Sequence, residues 1–190
     1  TAFQAHPYRH DTIGWVSDVE NMPISALEEF YQLHYWPNNA TVVISGDFAT
    51  EDAIHLVHKF FGSIPRSPRE LPKVWTVEPT QRGERRFNLG HAGNVRMLSV
   101  AFHTPNSTHP DAHALALMAK VLGSSYQPGT RLYRRLLETG MVSSAYTSCD
   151  ELKDPGLFTV QCDVAPGADM AAVEAAIIEE VARMASEPAD

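Results

Sequence analysis

Apolar positions along this chain fall into runs of two kinds, one with the 3.6-residue period of a helix and one with the two-residue period of a strand. Residues 1–23 carry neither and predict an extended leading loop that ends at Met22-Pro23. Ser25 and Glu28 then have capping-box spacing, and Leu27, Phe30 and Tyr31 share one helical face. Pro37-Asn38-Asn39 ends that run, because Pro37 has no N–H and disfavours helix at Trp36. Residues 41–45, TVVIS, are a β-branched run closed by Gly46-Asp47 and predict a buried strand. Thr50 is the expected cap of a second helix. Ile54, Val57 and Phe61 lie on one face of it, Gly62 is at its C′ position and Pro65 stands beyond.

Residues 63–83 interrupt the periodicity. Pro65, Pro68, Pro72 and Pro79 alternate there with charged residues, the pattern of an extended linker and a domain boundary. Trp75 and Val77 predict that it lies on a surface. Two strand candidates follow, 85–91 and 95–104, around Gly93-Asn94, with Leu98, Val100 and Phe102 alternating in the second. Pro110 and Asp111 open a helix with Leu115, Met118 and Leu122 along one side. A loop at 123–129 leads to a short helix through Leu132 and Leu136, ended by Gly140. Residues 143–151 and 157–164 predict a hairpin, in which Phe158, Val160, Cys162 and Val164 alternate cleanly. The last helix starts near Asp169, with Val173, Ile177, Val181 and Met184 on its face. This order predicts an α+β fold, an antiparallel sheet with helices packed on one face.

Composition narrows the function classes. At 190 residues and 44% apolar, the chain has enough apolar material for ordinary cores. A net charge of -8 argues against a nucleic-acid partner, since Arg82, Arg85 and Arg86 form the one dense basic cluster. No apolar run reaches the length of a bilayer span. The chain opens within a loop, as if cut from a longer polypeptide, so the lack of a leader says nothing about export. Cys149 and Cys162 flank the Asp154-Pro155-Gly156 turn, and two readings stay open: a cross-strand disulfide or two small buried hydrophobes.

The wording of the first third is more specific than its pattern. HPYRH…IGW, a helix ending YWPNNA, the strand TVVISGDF and a helix ending FFGSIP occur in that order. Together they resemble the insulinase/pitrilysin-like zinc metallopeptidases. That family commonly shows HPY(G/R)…IG, FY…Y.P.N, VVVGD and YFG.IP. The resemblance implies two consecutive family-type units. Residues 1–63 would be the C-terminal part of the first, 64–83 a Pro-rich linker, and 84–190 most of the second.

The family's chemistry rests on an inverted zinc motif, H-x-x-E-H, with a Glu downstream as third protein ligand and the motif Glu as general base on the zinc-bound water. This sequence contains neither H-x-x-E-H nor H-E-x-x-H. In the family both motif and third ligand precede the HPY segment. Zinc is therefore expected in the parent protein, with its ligands outside these residues. Within them no catalytic, cofactor-binding or metal-ligating residue is assigned, and the segment alone is expected to be inactive. The histidine pairs His55/His58, His6/His10 and His109/His113 are read as ordinary surface or partly buried residues. Gly123-Ser124-Ser125 with Gly129 lacks the lysine of a phosphate loop. Ser143, Ser144 and Ser148 lack an activating His and acid.

Some members hold the substrate backbone with an Arg and a Tyr seven residues later. In the matching stretch, residues 131–146, those positions are Leu137 and Ser144; Arg134, Arg135 and Tyr146 are near but out of register. The expected role is a non-catalytic segment of a zinc metalloendopeptidase that helps enclose a peptide. Its expected partners are the peptide substrate and the other half of the same chain or a partner subunit. Strand edges near Ala92 or Ser143 are expected to receive peptide by strand addition. The wording of residues 70–165 suggests long bacterial members of the periplasm. The alternative is a structural or assembly subunit that kept the fold and lost the chemistry.

Overall fold

The computed structural model describes residues 2–187 apart from 91 and 125. The chain divides into two compact units, Phe3–Pro79 and Thr80–Asp190.

The first unit is helical. It contains α1 (Val16–Asn21), α2 (Ile24–His34) and α3 (Thr50–Phe61), with 3-10 turns at Pro7–Arg9 and Pro37–Asn39. Helix α1 lies in the expected loop. Its Trp15 carbonyl accepts from the N–H groups of Asp18 and Val19, and one turn is too short to show periodicity. The capping box of α2 does not form. Pro23, extended at φ -72 and ψ 144, occupies the cap position, so Ser25 falls inside the helix. Ala49 likewise takes the cap position expected for Thr50. Pro37 ends the first of these runs as predicted, and α2 stops at His34.

Residues 41–45 are extended but are not a strand. A strand exists only where its N–H and C=O groups meet another strand, and no described residue of this unit offers a ladder. Val42, Val43 and Ile44 consequently stay exposed, as do Leu27, Phe30, Ile54 and Phe61 on the helices. Among the described residues of this unit only Phe3 and His6 are buried.

The second unit holds the core. Strands β1 (Arg96–His103), β2 (Val142–Cys149) and β3 (Leu157–Val164) form an antiparallel sheet in the order β1-β3-β2. The cleanest alternating run, β3, takes the middle. Both neighbours run antiparallel to it, so β1 and β2 point the same way and their connection must cross over one face. That connection carries α4 (Ala112–Leu122) and a five-residue π-helical segment, Tyr133–Leu137, where a short ordinary helix was expected. Helix α5 (Met170–Arg183) follows β3, started by Asp169, whose carboxylate accepts from the Ala171 N–H at 3.1 Å. The expected strand at 85–91 does not form among the described residues, for the same lack of a ladder partner; His91 lies outside them.

Register sorts the side chains into layers. Leu98, Cys162 and Ala145 stand side by side, then Val100, Val160 and Thr147, then Phe102, Phe158 and Cys149. These rows face the helices and pack with Leu122, Leu136, Val173 and Ile177, which are fully buried, whereas Phe102 on the edge strand stays partly exposed. The predicted class, helices on one face of an antiparallel sheet, is what forms.

The end of α5 is tied by charge to Arg131, two residues before the π-helical segment. Buried Glu180 accepts from Arg183 Nη1 at 2.8 Å, and Arg131 Nη1 lies 3.1 Å from Glu187. The Glu187 carboxyl is held below its ordinary value, chiefly by the hydrogen bond from Arg183 Nε at 2.9 Å. A carboxyl with a depressed folded pKa stabilises fully above its unfolded value near 4.5 and loses that contribution as pH falls through the folded pKa. In Arg183→Gln the Glu187 titration followed by NMR should therefore move up towards 4.5, and stability should fall less steeply in acid.

Candidate functional site: the open face of the sheet

The helices cover one face of the sheet and leave the other to solvent. Along that open face lie Met97, Gln161 and Ser99 and, from β2, Ser144, Tyr146 and Ser148. It is polar but carries little charge. Tyr146 is 58% exposed, whereas Ala145 and Thr147 on either side of it are buried, so alternation alone separates the two faces. Gln161 Nε2 is 3.0 Å from the Met97 sulfur, and Ser144 Oγ donates to Asp163 Oδ2 at 2.7 Å. A bulge between Val142 and Ser144 displaces Ser143, whose hydroxyl donates to the Asp163 carbonyl at 3.3 Å. The sheet order leaves β1 and β2 each with an outer edge.

The serines meet an acid but no imidazole, so the arrangement supplies hydrogen bonding rather than an activated nucleophile. Asp163 is the residue that sequence reasoning passed over. Its alternation with Cys162 was a sufficient signal that it stands on the open face.

The stretch that matches the Arg/Tyr segment, in which the sequence already departs from the family's pair, assembles none in the structure. Leu137 ends the π-helical segment and Ser144 faces Asp163. Arg135 is 3.0 Å from Glu179, Arg131 is engaged with Glu187, and Arg134 is exposed. Arg86, from the basic cluster, pairs with Glu174 and Glu84. Its guanidinium is held above the ordinary arginine value, first by the hydrogen bond with Glu174.

The cysteines occupy different rows. Cys149 pairs with Phe158 and Cys162 with Ala145, an offset of four residues, or about 13 Å along the strands. That exceeds what a disulfide spans. Both thiols are free. Burial pushes the Cys162 thiol up to about 11, with Asp163 adding to the effect, and burial likewise raises Cys149. Alkylation of native Cys162 at pH 7.4 should be at least about a hundredfold slower than that of a free cysteine, because the thiolate is the reactive form. Denaturant should restore the rate; mass spectrometry of alkylated peptides reads both.

The histidines do not converge either. His55 and His58 are exposed on α3, and His58 lines an open apolar groove of about 420 Å³ in the first unit with Val42, Ile44, Phe48, Ile54 and Val57. His109 lies 3.6 Å from Asp111 at the start of α4, while His6 is buried and His10 exposed. Among the described residues no three of His, Cys, Asp or Glu come together in a way that would hold a metal ion. No described helix is long and apolar enough to cross a membrane. Gly123 makes a tight turn against Thr130 rather than a phosphate cradle; Ser125 lies outside the described residues.

The sheet-and-helix unit and the last three of the four motifs are matched by one family model, described as the peptidase M16 inactive domain, over residues 21–190. The chain belongs to this family. It is the family that the four sequence motifs resemble. The chain is 27% identical over 161 residues to the zinc protease PqqE of Helicobacter pylori, covering 83% of this chain and 36% of that protein. It is 25% identical over 198 residues to a probable mitochondrial-processing peptidase subunit beta of Arabidopsis thaliana, covering 100% of this chain and 37% of the relative. The crystal structure of a protease from Helicobacter pylori superimposes with a TM-score of 0.87 at 26% identity, covering 96% of this chain and 44% of the other. The chain thus spans between a third and a half of the length of these relatives. Zinc is implied by the family, but the donor set here does not fit it. The histidines are scattered and both thiols are held protonated by burial, so no step is routed through a metal on these residues.

Proposed function

We propose that this M16 domain is a non-catalytic part of a zinc metalloendopeptidase and that its open sheet face lines the chamber holding the peptide. The observation that carries the reading is the match of residues 21–190 to a domain described as inactive, in a chain spanning 36% of a protein named a zinc protease. The catalytic zinc and its ligands then belong to other polypeptide of the parent or a partner subunit. The polar, sparsely charged face suits the reading, since hydroxyl and amide groups can bond a peptide backbone without selecting one sequence.

Surface area supports a covering partner. The chain exposes 14525 Å². A compact protein of its 21.0 kDa would expose about 9,000 Å², and two compact proteins of half that mass about 11,000 Å² together. Much of the surplus is apolar side chain on the helices and extended segments of the first unit. This fits residues 1–63 as the end of one peptidase-like unit whose remaining part packs on α2, α3 and the 41–45 segment, residues 64–83 as linker, and 84–190 as most of a second unit. Export to a bacterial periplasm is proposed on sequence wording alone, and cell fractionation tests it.

The test compares the full-length parent with the 190-residue chain on quenched fluorescent peptides. Chelator-sensitive cleavage is expected from the parent and none from the shorter chain. In the parent, a photo-crosslinker at Tyr146 should capture peptide, and one at Ile178 on α5 should not. Chelator-sensitive cleavage by the short chain overturns the non-catalytic reading. Equal capture from both positions overturns the chamber-facing sheet. An intact parent without peptidase activity would place the chain among structural subunits instead.

A further inference from the structure

Three backbone N–H groups in the loop before the HPYR motif and at its first residue converge on one carboxylate. Gln4, Ala5 and His6 donate to Glu78 at 2.7, 2.9 and 3.0 Å, across more than seventy residues of sequence. We propose that the Gln4-Ala5-His6 backbone is the receiving half of a latch, with the Glu78 carboxylate as its bolt, which holds the Pro-rich strap of residues 65–79 closed against the start of its own unit.

The surroundings support a built contact. His6 and Phe3 are the buried residues of the unit, and both stand at the latch. Their rings form a cluster with Tyr8, the His6 and Tyr8 centroids being 4.4 Å apart. His6 Nδ1 accepts from the Tyr8 N–H at 3.2 Å, and Arg9 Nη1 donates to the Gln4 carbonyl at 2.8 Å, so the loop is braced before the carboxylate arrives. At the other end of the strap, the Ser67 N–H donates to Asn38 Oδ1 at 2.8 Å.

Between these two pins the strap has no ladder partner among the described residues, and Pro68 and Pro72 contribute no N–H. Its placement therefore depends on a few polar contacts. A carboxylate in a concave set of N–H groups is the strong kind, because each bond is charge-assisted. Closing so long a loop also costs chain entropy, which these charge-assisted bonds help to offset. The start of the HPYR motif, one of the four, thus takes part in and braces this contact, independent of the peptidase reading.

Amide exchange in the full 190-residue chain tests the latch. In Glu78→Ala, the Gln4, Ala5 and His6 amides should exchange at least tenfold faster, equivalent to about 1.4 kcal/mol. Glu78→Gln, which keeps one acceptor oxygen, should fall between. Trypsin cleavage after Lys73 should accelerate in the same order, while amides of α3 and α5 keep their rates. No change at residues 4–6 overturns the proposal. So does a rise spread equally over α2 and α3, which would make Glu78 a general support of the unit.

Discussion

Gly123→Ala should destabilise the Thr80–Asp190 unit by about 3–5 kcal/mol, enough to abolish cooperative unfolding of a marginal domain. Gly123 follows α4 at φ 82 and ψ -160, a conformation essentially restricted to glycine. Strain there costs of order 1–3 kcal/mol. A Cβ would also overlap the side chain of Thr130, which is fixed by its own hydroxyl bond to the Gln127 carbonyl at 2.8 Å. Overpacking adds about 1–3 kcal/mol. The two causes separate in a double variant. Thr130→Gly removes the obstructing side chain, so Gly123→Ala placed on that background should cost about 1–3 kcal/mol, the strain alone. Urea unfolding monitored by circular dichroism measures each. Equal costs on both backgrounds would show that crowding by Thr130 plays no part.

Phe158→Ala should cost about 3–5 kcal/mol. Phe158 is 2% exposed on the central strand, between Phe102 and Cys149, and belongs to the cluster that joins the sheet to α4 and α5. Truncation leaves a cavity bounded on two sides by strands that cannot collapse without breaking their ladders. Tyr146→Ala, also on the sheet but on its open face, should change stability by less than about 1 kcal/mol. A similar loss for the two variants would mean that both faces of the sheet are covered, contrary to the reading of the open face.

Local chemistry made much of the second unit legible in advance. Strand β3 has the predicted limits because Phe158, Val160, Cys162 and Val164 alternate without interruption, and Asp169 caps α5 as its position suggests. Other expectations failed where the deciding partner was distant or absent. The 41–45 and 85–91 runs have strand composition, yet composition cannot supply a neighbour for the backbone. Ser25 and Glu28 have capping-box spacing, yet Pro23 already holds the extended conformation from which α2 starts two residues earlier. The π-helical segment at Tyr133–Leu137 had no warning in its residues, which fit an ordinary helix equally well.

The candidate site divides in the same way. That Tyr146 and Ala145 face opposite ways follows from the two-residue period of any strand. That Ser144 meets Asp163, and that Cys149 and Cys162 stand too far apart to join, follows from the register of the hairpin. The loop between the strands spans residues 150–156, so its centre lies about two residues before the midpoint of the cysteine pair, and each such shift moves a pairing by twice its size.

By itself, then, the sequence determined the fold class, the buried face of the regular runs in the second unit and, through four short motifs, the family. These depend on periods and local conformations carried within a few residues. The tertiary structure alone decided the strand order β1-β3-β2, the fate of the would-be strands and the meeting of Glu78 with residues 4–6. Each of those is a contact between parts remote in sequence, and a contact of that kind takes its energy from both partners together, so neither partner's residues announce it alone.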